Sequence, residues 1–177
     1  MSDRVNWFSK TGRPIGGLTV VLDLDGVIAD GRHRQHFLHN DDGSVRSDPD
    51  WGGFYAACGD DPVIPAGRAL AEAFGPDISV VILTARTFDV SQTTRTWLAA
   101  GGIRHDWLIL RGPRSEGASS EFKSRELDSL VSEGAEICLA ADDDPRNVEM
   151  MRSRGIPTMY VPSGYYDGRD DVETRFC

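Results

Sequence analysis

Two aspartates, Asp23 and Asp25, stand two positions apart at the end of the run Thr19-Val20-Val21-Leu22, and Gly26 follows them directly. Continuous Val/Leu content reads as a strand covered on both faces. Residues two apart on a strand share a face, so the two carboxylates point the same way. At the carboxyl end of a parallel strand that face opens into the crevice where α/β proteins bind ligands. Like charges there repel unless something cationic neutralises them, so the pair reads as a ligand site that recruits a cation or, more plainly, as a solvated acidic turn. A carboxylate can attack phosphorus, carry a proton, or serve as a hard oxygen ligand of the kind Mg²⁺ prefers. A second acidic run, Asp142-Asp143-Asp144, closes the apolar stretch 136–141, and its plainer reading is a cap before Pro145. Thr84 ends a third apolar run, where it reads as a polar group at the ligand end of the sheet or as a β-branched strand end. Among 19 basic residues only Lys10 and Lys123 are lysines, so Lys123 points to a role for a compact ammonium that a planar guanidinium cannot fill. Its plainer reading is a solvated charge at a helix start. His33, His36 and His39 can share a helical face, but no cysteine or carboxylate completes a metal set with them, and His33 is instead a candidate substrate contact.

These groups need elements to hold them. Residues 1–17 read as a mobile lead-in, with Pro14 and Gly16-Gly17 before the first strand. A short helix at 32–39, an acidic loop at 40–50 and the aromatic trio Trp51, Phe54 and Tyr55 fill the segment after that strand. The trio reads either as lid packing or as a surface on which a base stacks. Then strands at 78–83, 107–110, 136–141 and 157–161 alternate with helices at 66–74, 91–100, 121–132 and 145–154, with Leu127, Leu130 and Val131 on one apolar stripe. Strands alternating with helices imply right-handed crossovers and a mainly parallel sheet between two helical layers.

The chain has 177 residues, 40% of them hydrophobic, enough for one ordinary α/β domain with a real core. A net charge of −9 argues against a general nucleic-acid coat, while Arg32, His33, Arg34 and Arg86 offer a local positive patch. Cys58, Cys138 and Cys177 make neither a metal-ligand pair nor an even disulfide framework, which fits a reducing cytoplasm. Neither a signal peptide nor a membrane-spanning run is visible, so a soluble cytoplasmic protein is expected.

Asp23-Leu24-Asp25-Gly26-Val27, Thr84, Lys123 and Asp142-Asp143 resemble, in order, the four motifs of the haloacid dehalogenase-like superfamily, over residues 18–161. The resemblance implies a three-layer α/β/α sandwich with a mainly parallel, Rossmannoid sheet, a small lid insertion at about 27–64, no full cap domain, and one domain over 18–177. It also implies a Mg²⁺-dependent phosphatase. Asp23 would be the nucleophile that forms an aspartyl-phosphate, and Asp25 the general acid and base. Thr84 would hydrogen-bond the phosphate and Lys123 pair with the phosphoryl group. The ion would be held by Asp23 and Asp142, by the backbone carbonyl of Asp25, and by Asp143 directly, through water or as an anchor.

A finer resemblance is to the 3′-phosphatase domain of phage-type polynucleotide kinase/phosphatase. It is carried by Thr84-Ala85-Arg86, Thr96-Trp97-Leu98, Leu108-Ile109-Leu110-Arg111, and Val148-Glu149-Met150-Met151-Arg152 with Gly155. It implies that Arg34, Arg86 and Arg114 act on the substrate, a nucleic-acid 3′-phosphate end or a nucleotide. A small-metabolite phosphatase and a catalytically silent binding module with the same fold are the alternatives.

Overall fold

A computed structural model of the chain describes residues 4–113 and 115–167. Among the described residues, six strands form one sheet: β1 (Trp7–Ser9), β2 (Gly17–Leu22), β3 (Ser79–Thr87), β4 (Trp107–Arg111), β5 (Ala135–Asp142) and β6 (Thr158–Tyr160). Their order across the sheet is β1-β4-β3-β2-β5-β6, and every pairing is parallel except β1 with β4. Five α-helices accompany them: α1 (Trp51–Ala56), α2 (Pro65–Glu72), α3 (Ser91–Ala100), α4 (Ser119–Ser132) and α5 (Pro145–Ser153).

Strand periodicity sorts the core into two layers. Val20, Leu22, Val80, Ile82, Leu108 and Leu110 face Ala71, Trp97 and Leu98 of α2 and α3. Val21, Val81, Leu83 and Ile109 face Phe122, Leu127, Leu130 and Met151 of α4 and α5. The fold is therefore the expected three-layer α/β/α sandwich. Val131 departs from its expected place on the α4 stripe. One residue past Leu130, it turns out to solvent and is 55% exposed.

The amino-terminal segment also departs from a mobile lead-in. Trp7–Ser9 pairs antiparallel with Trp107–Ile109 at the sheet edge. The Trp7 indole N–H donates to Glu126 at 2.7 Å, its ring meets Trp107 edge-on, and the Asn6 amide donates to the Leu110 carbonyl at 2.7 Å. A three-residue strand is too short to show a sequence period, and these anchors lie about a hundred residues away.

The chain runs outward from β2 through β3 to β4, then returns to add β5 on the other side of β2. Ligand crevices in open α/β sheets form at such a reversal, outside the strand ends. The segment between β2 and α2 closes on itself beside that point. Asp30 N–H donates to the Pro62 carbonyl at 2.8 Å, and Ile64 N–H to the Ile28 carbonyl at 2.7 Å. Its residues 32–37 form a 3-10 turn rather than a longer helix, and Asp50 caps α1 by accepting from Gly53 N–H at 2.8 Å. Helix α2 docks against the base of this segment at Gly67, where a Cβ would lie 1.9 Å from the Val27 carbonyl oxygen. Gly67→Ala is expected to lower stability by about 1–3 kcal/mol through overpacking, read as a reduced urea midpoint with an unchanged slope.

Candidate active site

The carboxyl ends of β2 and β5 lie side by side, with Asp23 N–H donating to the Ala141 carbonyl at 2.9 Å. Just beyond, the chain buries three carboxylates around one ammonium. Lys123 Nζ, from the first turns of α4, lies 2.8 Å from Asp23 Oδ1 and 2.7 Å from Asp142 Oδ2. Asp142 is fixed from its other oxygen, which accepts from Asp144 N–H and from the Asn147 amide, both at 3.0 Å. One oxygen from each of Asp23, Asp142 and Asp143 falls within 4.8 Å of the others. Asp143 Oδ2 is buried without a hydrogen-bond partner.

Three carboxylates and one ammonium leave a formal excess of two negative charges in a buried space. Burial pushes the Asp23 carboxyl up to about 7, with the charges of Asp142 and Asp25 adding to it and Lys123 opposing. Asp143 is raised well above the ordinary range, first by burial and then by Asp23 and Asp142. Lys123 moves the other way. Burial disfavours its charge, but Asp142 and Asp23 outweigh that and hold it protonated. All the candidate ligand atoms are oxygens, and one buried oxygen is unsatisfied. That donor set fits a hard divalent cation such as Mg²⁺ and suits neither a soft metal nor a zinc site. Gly26 keeps the space open: its φ is +83°, and a Cβ there would lie 2.1 Å from Asp143 Oδ2.

Asp25 belongs to a second, separately balanced cluster. Arg86 reaches it with Nε at 3.1 Å and Nη2 at 2.7 Å, and Arg34 Nη2 lies at 2.5 Å. Both guanidiniums also bind Asp61: Arg34 Nε at 2.8 Å and Arg86 Nη2 at 2.6 Å. His33 Nε2 closes the group 2.9 Å from Asp61 Oδ1. Two carboxylates meet two guanidiniums, so the cluster is formally neutral. Burial alone would raise the pKa of Asp25, but Arg86 and then Arg34 outweigh it and hold the carboxyl below its usual range.

This placement corrects the expected basic patch. Arg34 and Arg86 have fully buried side chains, and their charges are spent on Asp25 and Asp61. His33 turns toward Asp61, away from the crevice. Of the four expected cations, Arg34 and Arg86 are thus internal supports of Asp25, and Arg32 stays exposed with its guanidinium paired to Asp30. Thr84 is fully buried at the end of β3, and its hydroxyl accepts from Arg86 N–H at 3.1 Å. Arg114 lies outside the described residues. Asp61 and Asn147 were not visible as site residues in the sequence. Asp61 sits in an ordinary Asp-Asp-Pro turn, and Asn147 reads as a helix-surface amide.

A crevice of about 580 Å³ opens over both clusters. Asp23, Asp25, Lys123 and Asp143 reach its floor, Trp51 and Tyr55 form the lid-side wall, and Arg111 and Tyr166 stand among the residues of the rest of its lining.

No family model matches the chain, and no curated protein sequence matches it significantly. Solved structures do. A chain of the Pnkp1/Rnl/Hen1 RNA repair complex is similar over 91% of this chain and 46% of its own, with 19% identity and a TM-score of 0.62. A structure solved as a candidate phosphoglycolate phosphatase from Lactobacillus plantarum covers 88% of this chain and 91% of its own, with 8% identity and a TM-score of 0.58. A haloacid dehalogenase-like hydrolase from Streptococcus pneumoniae covers 81% and 83%, with 16% identity and a TM-score of 0.51. The chain has the haloacid dehalogenase-like fold, and it spans about half the length of the repair-complex chain. Among the described residues no helix is long and apolar enough to cross a membrane.

The carboxylate cluster generates a pH prediction. With a folded pKa near 7 against 3.8 unfolded, Asp23 binds more protons in the folded state between those values. Metal-free protein therefore loses stability as pH rises from about 4 to 7. A divalent cation needs the deprotonated ligands, so Mg²⁺ should raise the melting temperature more at pH 8 than at pH 6, with proton release on binding at the lower pH. Asp142→Asn should remove that increment.

Proposed function

We propose that the protein is a Mg²⁺-dependent phosphomonoester hydrolase that works through an aspartyl-phosphate on Asp23. The observation that carries this reading is the pairing at one crevice floor of a carboxylate cluster two charges short of neutrality with a separately neutralised Asp25. Asp23, Asp142 and Asp143 would hold the ion by their side chains. Asp25 would add only its backbone carbonyl, because its carboxylate is committed to Arg34 and Arg86. When bound, the ion would supply neutralising charge for an anionic nucleophile meeting an anionic phosphate.

The steps for the chain's own residues follow from that placement. An Asp23 oxygen attacks phosphorus and the bond to the ester oxygen breaks, while Asp25, which must first take up a proton from solvent, gives that proton to the departing alcohol. Water then attacks the acyl-phosphate while Asp25 takes its proton, which returns Asp23 and releases inorganic phosphate. Lys123, held between Asp23 and Asp142, balances charge on the transferring group. Asp25 rests as a carboxylate in the free protein, so the first step, which needs its proton, is the pH-sensitive one.

For substrate class we favour a nucleic-acid 3′-phosphate end or a nucleotide. The similarity to a chain of an RNA repair complex supports it, as does a crevice with room for a leaving group much larger than a simple alcohol. A small-metabolite phosphatase is the second reading, favoured by the similarity to the Lactobacillus plantarum structure.

Phosphate release from a panel of oligonucleotide 3′- and 5′-phosphates, nucleoside monophosphates and sugar phosphates tests this directly. A 3′-end preference is expected, and sugar phosphates as the best substrates would overturn the substrate class. Asp23→Asn should abolish release from all of them. Asp25→Asn with p-nitrophenyl phosphate should give one equivalent of nitrophenolate and then stall, since that leaving group needs no proton but the second step still needs a base. With alkyl phosphates Asp25→Asn should lose about 10²–10⁴ in rate. In the wild type, the protonated fraction of Asp25 falls as pH rises, so alkyl phosphates should lose rate relative to p-nitrophenyl phosphate toward alkaline pH.

A further inference from the structure

Three of the four tryptophans are placed as structural tryptophans usually are, with the ring packed and the indole N–H satisfied. Trp7 donates to Glu126 at 2.7 Å, Trp97 to the Asp61 carbonyl at 2.7 Å, and Trp107 to the Arg13 carbonyl at 3.0 Å. Trp51 differs on both counts. Its indole N–H has no hydrogen-bond partner among the described residues, and the residue is 50% exposed. It is also the one large exposed hydrophobic among the described residues that lines the crevice above the carboxylates.

The ring is exposed yet held. It stacks on Tyr55 at 6.0 Å between centroids and 29° between planes, and it meets Phe54 edge-on at 5.8 Å. Tyr55 donates its hydroxyl to the Ala85 carbonyl at 3.2 Å, between Thr84 and Arg86 at the end of β3. The Arg34 guanidinium lies 4.1 Å from the Phe54 ring centroid while binding Asp25. The aromatic trio is therefore tied at two points to the groups that surround the phosphate position. A plain lid-packing role explains Phe54 and Tyr55, but not an indole that leaves half its surface and its N–H uncovered.

We propose that Trp51 is a nucleobase subsite: the base of the nucleoside leaving group stacks on its exposed face while the phosphate sits over Asp23. This deepens the phosphatase reading and rests on it. A planar aromatic leaving group matches the chemistry of the wall, because every base presents a π-face to an aromatic side chain and stacking tolerates differences in sequence. The size also matches. A crevice of about 580 Å³ lies in the range of sites that enclose whole small molecules, well beyond a phosphate alone. Such a subsite makes the enzyme sensitive to the presence of a base and only weakly sensitive to which base it is.

The test compares adenosine 3′-phosphate with ribose 3-phosphate, which keeps the sugar and phosphate and lacks the base. The ratio of kcat/KM for the two substrates should fall roughly 5- to 100-fold in Trp51→Ala, mostly through KM, as expected for loss of one base stack. Trp51→Phe should retain most of the ratio. An unchanged ratio in Trp51→Ala, with the far-UV spectrum and melting temperature retained, overturns the subsite. A binding arm separates this from failure of the phosphatase reading. In an Asp23→Asn background, adenosine 3′-phosphate should quench tryptophan fluorescence, and the added Trp51→Phe change should remove that quench while ribose 3-phosphate gives none in either. Quenching without turnover by the wild type would overturn the enzyme and keep the base subsite. Turnover with a quench that survives Trp51→Phe would do the reverse.

Discussion

The constraint on which this structure depends is the burial of carboxylates. Asp23, Asp61, Asp142 and Asp143 are each less than a tenth exposed, and Asp25 stands among them. An isolated ionised carboxylate in such a place costs far more than a domain can tolerate, so each needs a cation or must take up a proton. The chain answers with three long basic side chains from three different elements: Arg34 from the segment after β2, Arg86 from β3 and Lys123 from α4. Their positions link the lid, the sheet and one helical layer at a single point. Removing any one of them would leave a buried carboxylate uncompensated.

The two clusters formed in this way differ in charge, and the difference separates their roles. Around Asp25 and Asp61 the guanidiniums balance the carboxylates, bond to both, and leave nothing for a ligand to complete. Around Asp23 the single ammonium cannot balance three carboxylates, and an unpartnered oxygen of Asp143 marks what is missing. A buried salt bridge alone is weak evidence for anything beyond structure. A buried cluster that is incomplete by two charges, open to a crevice, and beside one that is complete is better evidence for a bound cation.

The sequence made much of this readable, for local reasons. A strand followed by Asp-x-Asp-Gly joins a period-2 pattern to a glycine with positive φ, both expressed within a few residues, and Asp144-Pro145 is an equally local helix start. The layered architecture followed from the alternation of strands with helices along the chain. What was not readable depends on contacts between distant residues. Asp61 has no distinguishing neighbours in sequence and becomes important only because Arg34 and Arg86 meet on it. Strand β1 shows no periodicity over three residues and exists because Trp7 finds Glu126 and Trp107. The arginines show the limit most clearly. Their positions in the chain suggested contact with a substrate, and nothing in one dimension reveals that their charge is already taken.

That Arg34 and Arg86 are internal bears on how the proposed phosphatase would recognise a substrate. With the two motif arginines spent on the chain's own aspartates, the basic groups lining the crevice are Lys123, itself held by Asp23 and Asp142, with Arg111 and Arg146. In the proposed phosphatase, affinity for the phosphate would rest on a cation held by the carboxylates and on these basic groups, which serve any phosphomonoester alike. Discrimination has to come from groups that touch the remainder of the substrate. On the lid side of the crevice Trp51, Phe54 and Tyr55 stand beside Gln35, Leu38 and His39, and Trp51 is half exposed there. In the proposed phosphatase, selectivity by stacking, with charge kept for the reacting group, would be the division of labour that fits this arrangement of buried ion pairs.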